Sequence, residues 1–215
     1  MSTNTVFQDL YGKIIASHES QSADSYYILN YADNELKTKF SIFNNKVLNV
    51  DYYVSAGEDL DTVIGALDAR YSWTIYRGKK ILNNHAVWEA KRVIGDALED
   101  SYSQVVMDTN YQTVAIFSYT PENEVIEGFK RFDLGGKNIL DDGNIEGVFE
   151  DGSDVYFKFD KNGITEIDSS TELFLKPYKT LSIFIDELQG GSILSLMTPE
   201  MISYYTNILP LVPNF

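Results

Sequence analysis

Apolar residues recur along the chain with two different spacings, and the spacing predicts which element each segment forms. Val6, Leu10 and Ile14 lie four residues apart, with Phe7, Tyr11 and Ile15 one step on, which predicts an amphipathic helix over roughly residues 5–18. Three strands are predicted next. Tyr26–Tyr31 is aromatic and β-branched. Leu36, Thr38, Phe40 and Ile42 alternate with Lys37, Lys39 and Ser41, the two-residue period of a half-buried strand. Asn44-Asn45 tolerates positive φ and predicts a tight hairpin into Lys46–Val54, where Leu48, Val50, Tyr52 and Val54 share a face.

Ser55 and Glu58 have the spacing of a capping box, so a helix is predicted near 57–70 with Leu60, Val63, Ile64, Leu67 and Tyr71 on its apolar stripe. A strand at Trp73–Tyr76 and a basic loop with Arg77, Lys79 and Lys80 follow. Val87, Ala90, Ile94 and Ala97 predict a third helix over roughly 84–100, and strands are expected near Gln104–Asp108, Tyr111–Tyr119 and Val125–Phe132. The order helix–strand–strand–strand thus occurs twice, at 5–54 and 84–132. A duplication and a coincidence of common building blocks both fit it, since the two copies share little residue identity.

Beyond Asp133, glycines punctuate short strands. Asp151-Gly152 predicts a hairpin between 147–149 and 154–159, and Lys161-Asn162-Gly163 turns the chain into 164–167, giving a β-meander. From Pro177 to Gly190-Gly191 the pattern fits a helix stopped by glycine, with a buried strand at Leu181–Ile185 as the competitor. Thr198-Pro199-Glu200 is a helix start, and Pro210 and Pro213 end that helix. The expected fold is α+β, mainly antiparallel, with four to five helices. Its expected organisation is an N-terminal lobe (1–80) and a C-terminal lobe (81–215), a single domain being the alternative.

Composition narrows the chemistry. The 215 residues hold 32 Asp and Glu against 17 Lys and Arg, a formal charge of −15, and no cysteine. Such a surface repels phosphate backbones and anionic membranes and attracts basic partners. Without cysteine there are no disulfides, thiolate nucleophiles or iron–sulfur sites. The two histidines, His18 and His85, are too few for a three-histidine metal site. No apolar run is long enough to span a bilayer, and Met1–Thr5 lacks the character of a signal peptide, so a cytoplasmic location is expected.

No phosphate-binding glycine loop and no Gly-x-Ser-x-Gly elbow is present, so no cofactor is expected. Asp142–Gly147 begins like a calcium loop, but the twelfth position is Ser153 instead of the bidentate Glu, and an acidic β-turn explains the segment better. On the predicted third helix, His85, Glu89 and Arg92 share a polar stripe. They are the catalytic candidates, against the simpler reading of a solvated face with helical ion pairs. Between Asp133 and Asp168, ten carboxylates face only three lysines. Asp141, Asp142, Glu146, Glu150, Asp151 and Asp154 are the candidate partner-binding residues of this stretch, with a solvated β-surface as the alternative.

The expectation for function is a non-catalytic acidic protein that engages a basic protein partner, such as an inhibitor or immunity-type antagonist of a nucleic-acid-acting toxin or enzyme. A small hydrolase with a His/carboxylate site between two lobes, and an assembly subunit using the apolar tail after Leu209, are the alternatives.

Overall fold

Strand dominates this chain, and its helices are few and short. The computed structural model describes residues 2–10, 12–135, 137–139, 143, 145–148, 154–169 and 177–215. Strands β1 (Thr3–Gln8) and β2 (Ile14–Ile15) pair antiparallel and lead through one helical turn, α1 (Ser17–Ser20), into the meander β3 (Ser25–Ala32), β4 (Glu35–Phe43) and β5 (Lys46–Tyr53). A short helix, α2 (Leu60–Gly65), then crosses over to β6 (Trp73–Leu82), which runs parallel to β5. The chain continues antiparallel through β7 (His85–Ile94), β8 (Ala97–Leu98), β9 (Tyr102–Met107), β10 (Thr113–Tyr119) and β11 (Val125–Asp133). A separate two-stranded ribbon, β12 (Lys137–Ile139) with β13 (Ile145–Val148), precedes β14 (Asp154–Asp160) and β15 (Gly163–Ser169). Helices α3 (Leu181–Asp186), α4 (Leu188–Ser195) and α5 (Pro199–Thr206) follow. The main sheet has 13 strands in the order β15-β14-β11-β10-β9-β7-β6-β5-β4-β3-β1-β2, with β8 beside β7.

Helix and mainly antiparallel sheet coexist, as expected, but sheet far outweighs helix. Two expected helices are corrected. Residues 5–18 hold β1, β2 and the first residues of α1, with Gly12 at φ 90° in the turn between the strands. Residues 84–100 hold β7 and β8. There Trp88 and Ala90 are buried two residues apart, so the segment has the strand period and not the helical one. The second of the two expected α-β-β-β stretches therefore begins with strand, and the helix of the first shrinks to α1. Residue 80, the expected lobe boundary, lies inside β6.

Turn chemistry accounts for the hairpins. Asp33-Asn34, Asn44-Asn45 and Asn83-Asn84 all take positive φ at both residues, as a two-residue hairpin turn matched to sheet twist requires. The expected helix near 57–70 is shorter at both ends. Asp59, not Ser55, caps it by accepting from the Thr62 amide, while Glu58 still reaches back to the Ser55 amide at 2.6 Å.

Side chains cluster in two apolar groups. Leu29, Leu36, Tyr53, Tyr76, Trp88, Ala90, Val105 and Met107 form one. Tyr53 on β5 reaches Met107 on β9 (Oη to Sδ, 4.0 Å) and the Tyr111 ring (6.0 Å), although β6 and β7 separate β5 from β9 in the sheet. The sheet therefore coils until its N-terminal strands face its middle strands, the accumulated result of right-handed strand twist. Further contacts across the concavity are Gln8 Nε2 to Asn110 O (3.2 Å) and Gln112 Nε2 to Gln8 Oε1 (3.3 Å).

The second group lies on the opposite face of the C-terminal strands. Phe117, Phe132, Val155, Phe157, Phe159 and Ile167 meet Phe184, Ile193, Tyr204 and Tyr205 from the helices. The Leu181–Ile185 segment is helical, which settles the helix-or-strand alternative. Gly190-Gly191 is not a helix stop but lies within α4, where a Cβ on Gly190 would sit 1.7 Å from the Phe184 carbonyl oxygen. Only glycine lets α4 pack this closely on α3. Helix α5 starts as expected, with Thr198 capping the Met201 amide and Pro199 in the first turn. The apolar tail folds back on the body: Tyr204 Oη donates to Leu211 O at 2.8 Å, and the Phe215 ring lies 5.5 Å from that of Tyr204. Among the described residues no helix is long and apolar enough to cross a membrane.

Candidate functional site

The coiled sheet turns a polar row inward. Lys39 on β4 pairs in register with Asp51 on β5, Asp51 with Thr74 on β6, and Thr74 with Arg92 on β7. Lys39 and Asp51 are each only 8 % exposed. Asn49 Nδ2 donates to Asp51 at 2.7 Å, and burial raises the Asp51 carboxyl to about 6 against the opposing pull of Lys39. Burial pushes the Lys39 ammonium down; Asp51 and Asp108 resist that shift and Arg131 reinforces it. Its Nζ lies 3.9 Å from the centre of the Tyr27 ring and 3.4 Å from the Tyr111 carbonyl oxygen.

Two cavities open on the concave side. One, of about 490 Å³, is lined by Asn49, Asp51, Thr74, Tyr76 and Arg92 from β5 to β7, and by Glu99, Tyr102, Ser103, Ser118 and Glu127 from the strands and turns beyond. Ser103 and Ser118 hydrogen-bond across β9 and β10 at 3.0 Å, and Tyr102 Oη donates to Asn123 at 2.7 Å, which ties the two turns at this end together. Those turns carry exposed Asp96, Asp100, Glu122 and Glu124 beside the cavity-lining Glu99 and Glu127. Among the described residues none of these six carboxylates has an ion-pair partner.

The other cavity, of about 320 Å³, lies between Tyr27 and Lys39 on one side and Gln112, Thr113, Phe129, Arg131, Asp154 and Tyr156 on the other. Arg131 Nε stands 3.9 Å from Asp154 Oδ1, too far for a hydrogen bond. Burial raises the Asp154 carboxyl to about 6, with Arg131 opposing. Burial first and Asp154 second push the Tyr156 phenol up to about 12. Clustered groups with displaced proton affinities in a concavity mark a candidate site.

The sequence-predicted residues fare differently. His85, Glu89 and Arg92 share no helix stripe, because they stand on strand β7, where alternate residues face opposite ways. Glu89 pairs with Arg77 at 2.5 Å, His85 Nδ1 contacts the Asn83 carbonyl at 2.7 Å, and Arg92 lines the larger cavity; the three are not brought together. Asp141, Asp142, Glu150 and Asp151 lie outside the described residues, as do Asn144 of the calcium-like turn and the Glu146 side chain. Asp154 is buried on the concave side. Two further acids of the meander are neutralised internally: Lys158 bonds Glu166 at 2.6 Å and Asp168 at 2.9 Å, and Lys179 also reaches Glu166.

Lys39, Asp51 and Arg131 were not singled out from sequence. A signal exists: Lys39 and Asp51 occupy the polar faces of two strands that pair directly, and each strand carries apolar residues on both faces. Comparison with known protein families, with curated proteins and with solved structures finds no match.

Proposed function

We propose that the chain is a non-catalytic binding protein that engages a basic protein partner through the acidic end of its coiled sheet. The observation that carries this reading is a set of six carboxylates: Glu99 and Glu127, which line the larger cavity, and the exposed Asp96, Asp100, Glu122 and Glu124 on the turns next to them in the chain. The formal charge of −15 adds long-range attraction for a cationic partner. Tyr102 in the same wall offers contact area at low entropic cost. A partner that itself binds nucleic acid, such as a toxin or host enzyme with a basic cleft, has the complementary surface.

The test uses a lysine- and arginine-rich peptide as probe, with binding followed by fluorescence anisotropy against salt. The expected result is binding that weakens steeply with salt. Joint Glu99→Gln, Glu122→Gln, Glu124→Gln and Glu127→Gln substitution should abolish it, while the same number of neutralisations at Asp24, Asp59, Asp61 and Glu187 should leave it largely intact. Equal losses in the two variants would show that only net charge matters and would sink the proposal.

A further inference from the structure

We propose that the smaller cavity is a binding site for a small organic monoanion, a carboxylate with an aromatic or apolar body, held between Lys39 and Arg131. This site is separate from the acidic end and does not depend on the reading above.

The argument starts from unfilled donors. The Arg131 side chain is 15 % exposed, and among the described residues its guanidinium makes no hydrogen bond; its nearest acid is 3.9 Å away. Buried guanidinium groups are normally held by bidentate acceptors, and none is supplied among the described residues. Lys39, 8 % exposed, gives one long hydrogen bond to a carbonyl and leans on the Tyr27 ring, so two of its three protons have no protein acceptor among the described residues. Two cations of a strongly acidic chain thus converge on one concavity with donor capacity to spare. An anion between them would satisfy both and relieve their mutual repulsion.

The walls select the rest of the ligand. Phe129 and Tyr156 stand edge to face at 5.4 Å, and Leu10 completes an apolar side that suits a ring or short aliphatic body. Gln112 adds a neutral polar group. Asp154 beside Arg131 and Asp51 beside Lys39 offset much of the local positive charge when ionised, which disfavours a dianion such as phosphate more than it does a monoanion. The volume of about 320 Å³ lies at the lower end of the range for small-molecule sites.

The experiment titrates the full chain, labelled for amide NMR, with benzoate, benzyl alcohol and inorganic phosphate. Benzoate should give saturable shifts centred on Tyr27, Lys39, Phe129, Arg131 and Tyr156. Arg131→Gln should weaken it by at least about tenfold, and phosphate should bind at least about tenfold more weakly than benzoate. Benzyl alcohol, which has the same body without the charge, should give no shifts there. The variant neutralised at the acidic end should bind benzoate as the wild type does. Shifts mapping elsewhere, undiminished binding in Arg131→Gln, or equal binding of benzyl alcohol or phosphate would each overturn the assignment. Lys39→Gln offers a second variant, and the wild-type shift map decides the location without any substitution.

Discussion

Lys130 and Arg131 are neighbours on β11, yet they project to opposite faces of the sheet and meet opposite fates. Lys130 is fully buried under the C-terminal helices. Its ammonium donates to the carbonyls of Tyr204 and Asn207 at 2.7 Å and of Pro210 at 2.6 Å, one for each of its three protons, and lies 4.0 Å from the centre of the Tyr204 ring. Burial pushes this ammonium down, to about 7, while the three carbonyls favour its charged form. Arg131 faces the concave side and makes no hydrogen bond among the described residues. Lys130 is therefore architecture: it ties α5 and the tail to the sheet at the helix end, where carbonyls lack partners. Arg131 retains donor capacity that no described residue takes up. The same contrast separates the two faces around them, an aromatic core on the helix side and a charged concavity on the other.

The largest effect should come from the aromatic core that surrounds the Lys130 clamp. Phe157 is fully buried, with ring centres of Tyr205 at 5.5 Å and Phe184 at 6.0 Å. Phe157→Ala should cost about 4 kcal/mol in urea unfolding through lost burial and the cavity left behind. Lys130→Met should cost about 3 kcal/mol, because it leaves three carbonyls without a donor, and hydrogen exchange should accelerate in α5 before it does in β3–β5.

Asp154 gives the opposite sign at neutral pH. Burial raises its carboxyl from the usual 3.8 to about 6 in the folded chain, so the folded state holds the proton more tightly and loses stability as pH rises between those values. Asp154→Asn removes that cost. Unfolding at several pH values should show a gain growing from about 0.5 kcal/mol at pH 4 to about 3 kcal/mol at pH 7. A gain independent of pH would show that ionisation is not its cause. The smallest effect belongs to Arg131. Arg131→Leu should change stability by no more than about 1 kcal/mol, since no hydrogen bond is lost and Asp154 can take up a proton in its place. A loss matching that of Lys130→Met would erase the difference between the two faces.

The sequence was legible where turn chemistry and strand alternation act locally. Asn44-Asn45 marks its hairpin, and the same dipeptide at Asn83-Asn84 marks the β6–β7 hairpin. There the helical spacing of Val87, Ala90, Ile94 and Ala97 obscured it, because apolar residues on both faces of a strand mimic a helical stripe. The candidate site was hidden for a different reason. Alternation shows that Lys39 and Asp51 share the less apolar faces of β4 and β5, but an outward face and an enclosed one have the same two-residue period.

By itself, then, the sequence determined the acidic character, the lack of cysteine chemistry, the Asn-Asn hairpin turns and the Thr198 cap of the last helix, all of which depend on residue type or on neighbours a few positions apart. Tertiary structure alone decided which polar face is enclosed. Twist accumulates over many strands, brings β3 and β4 opposite β11 and β14, and turns Lys39, Asp51 and Arg131 from surface charges into the lining of a concavity.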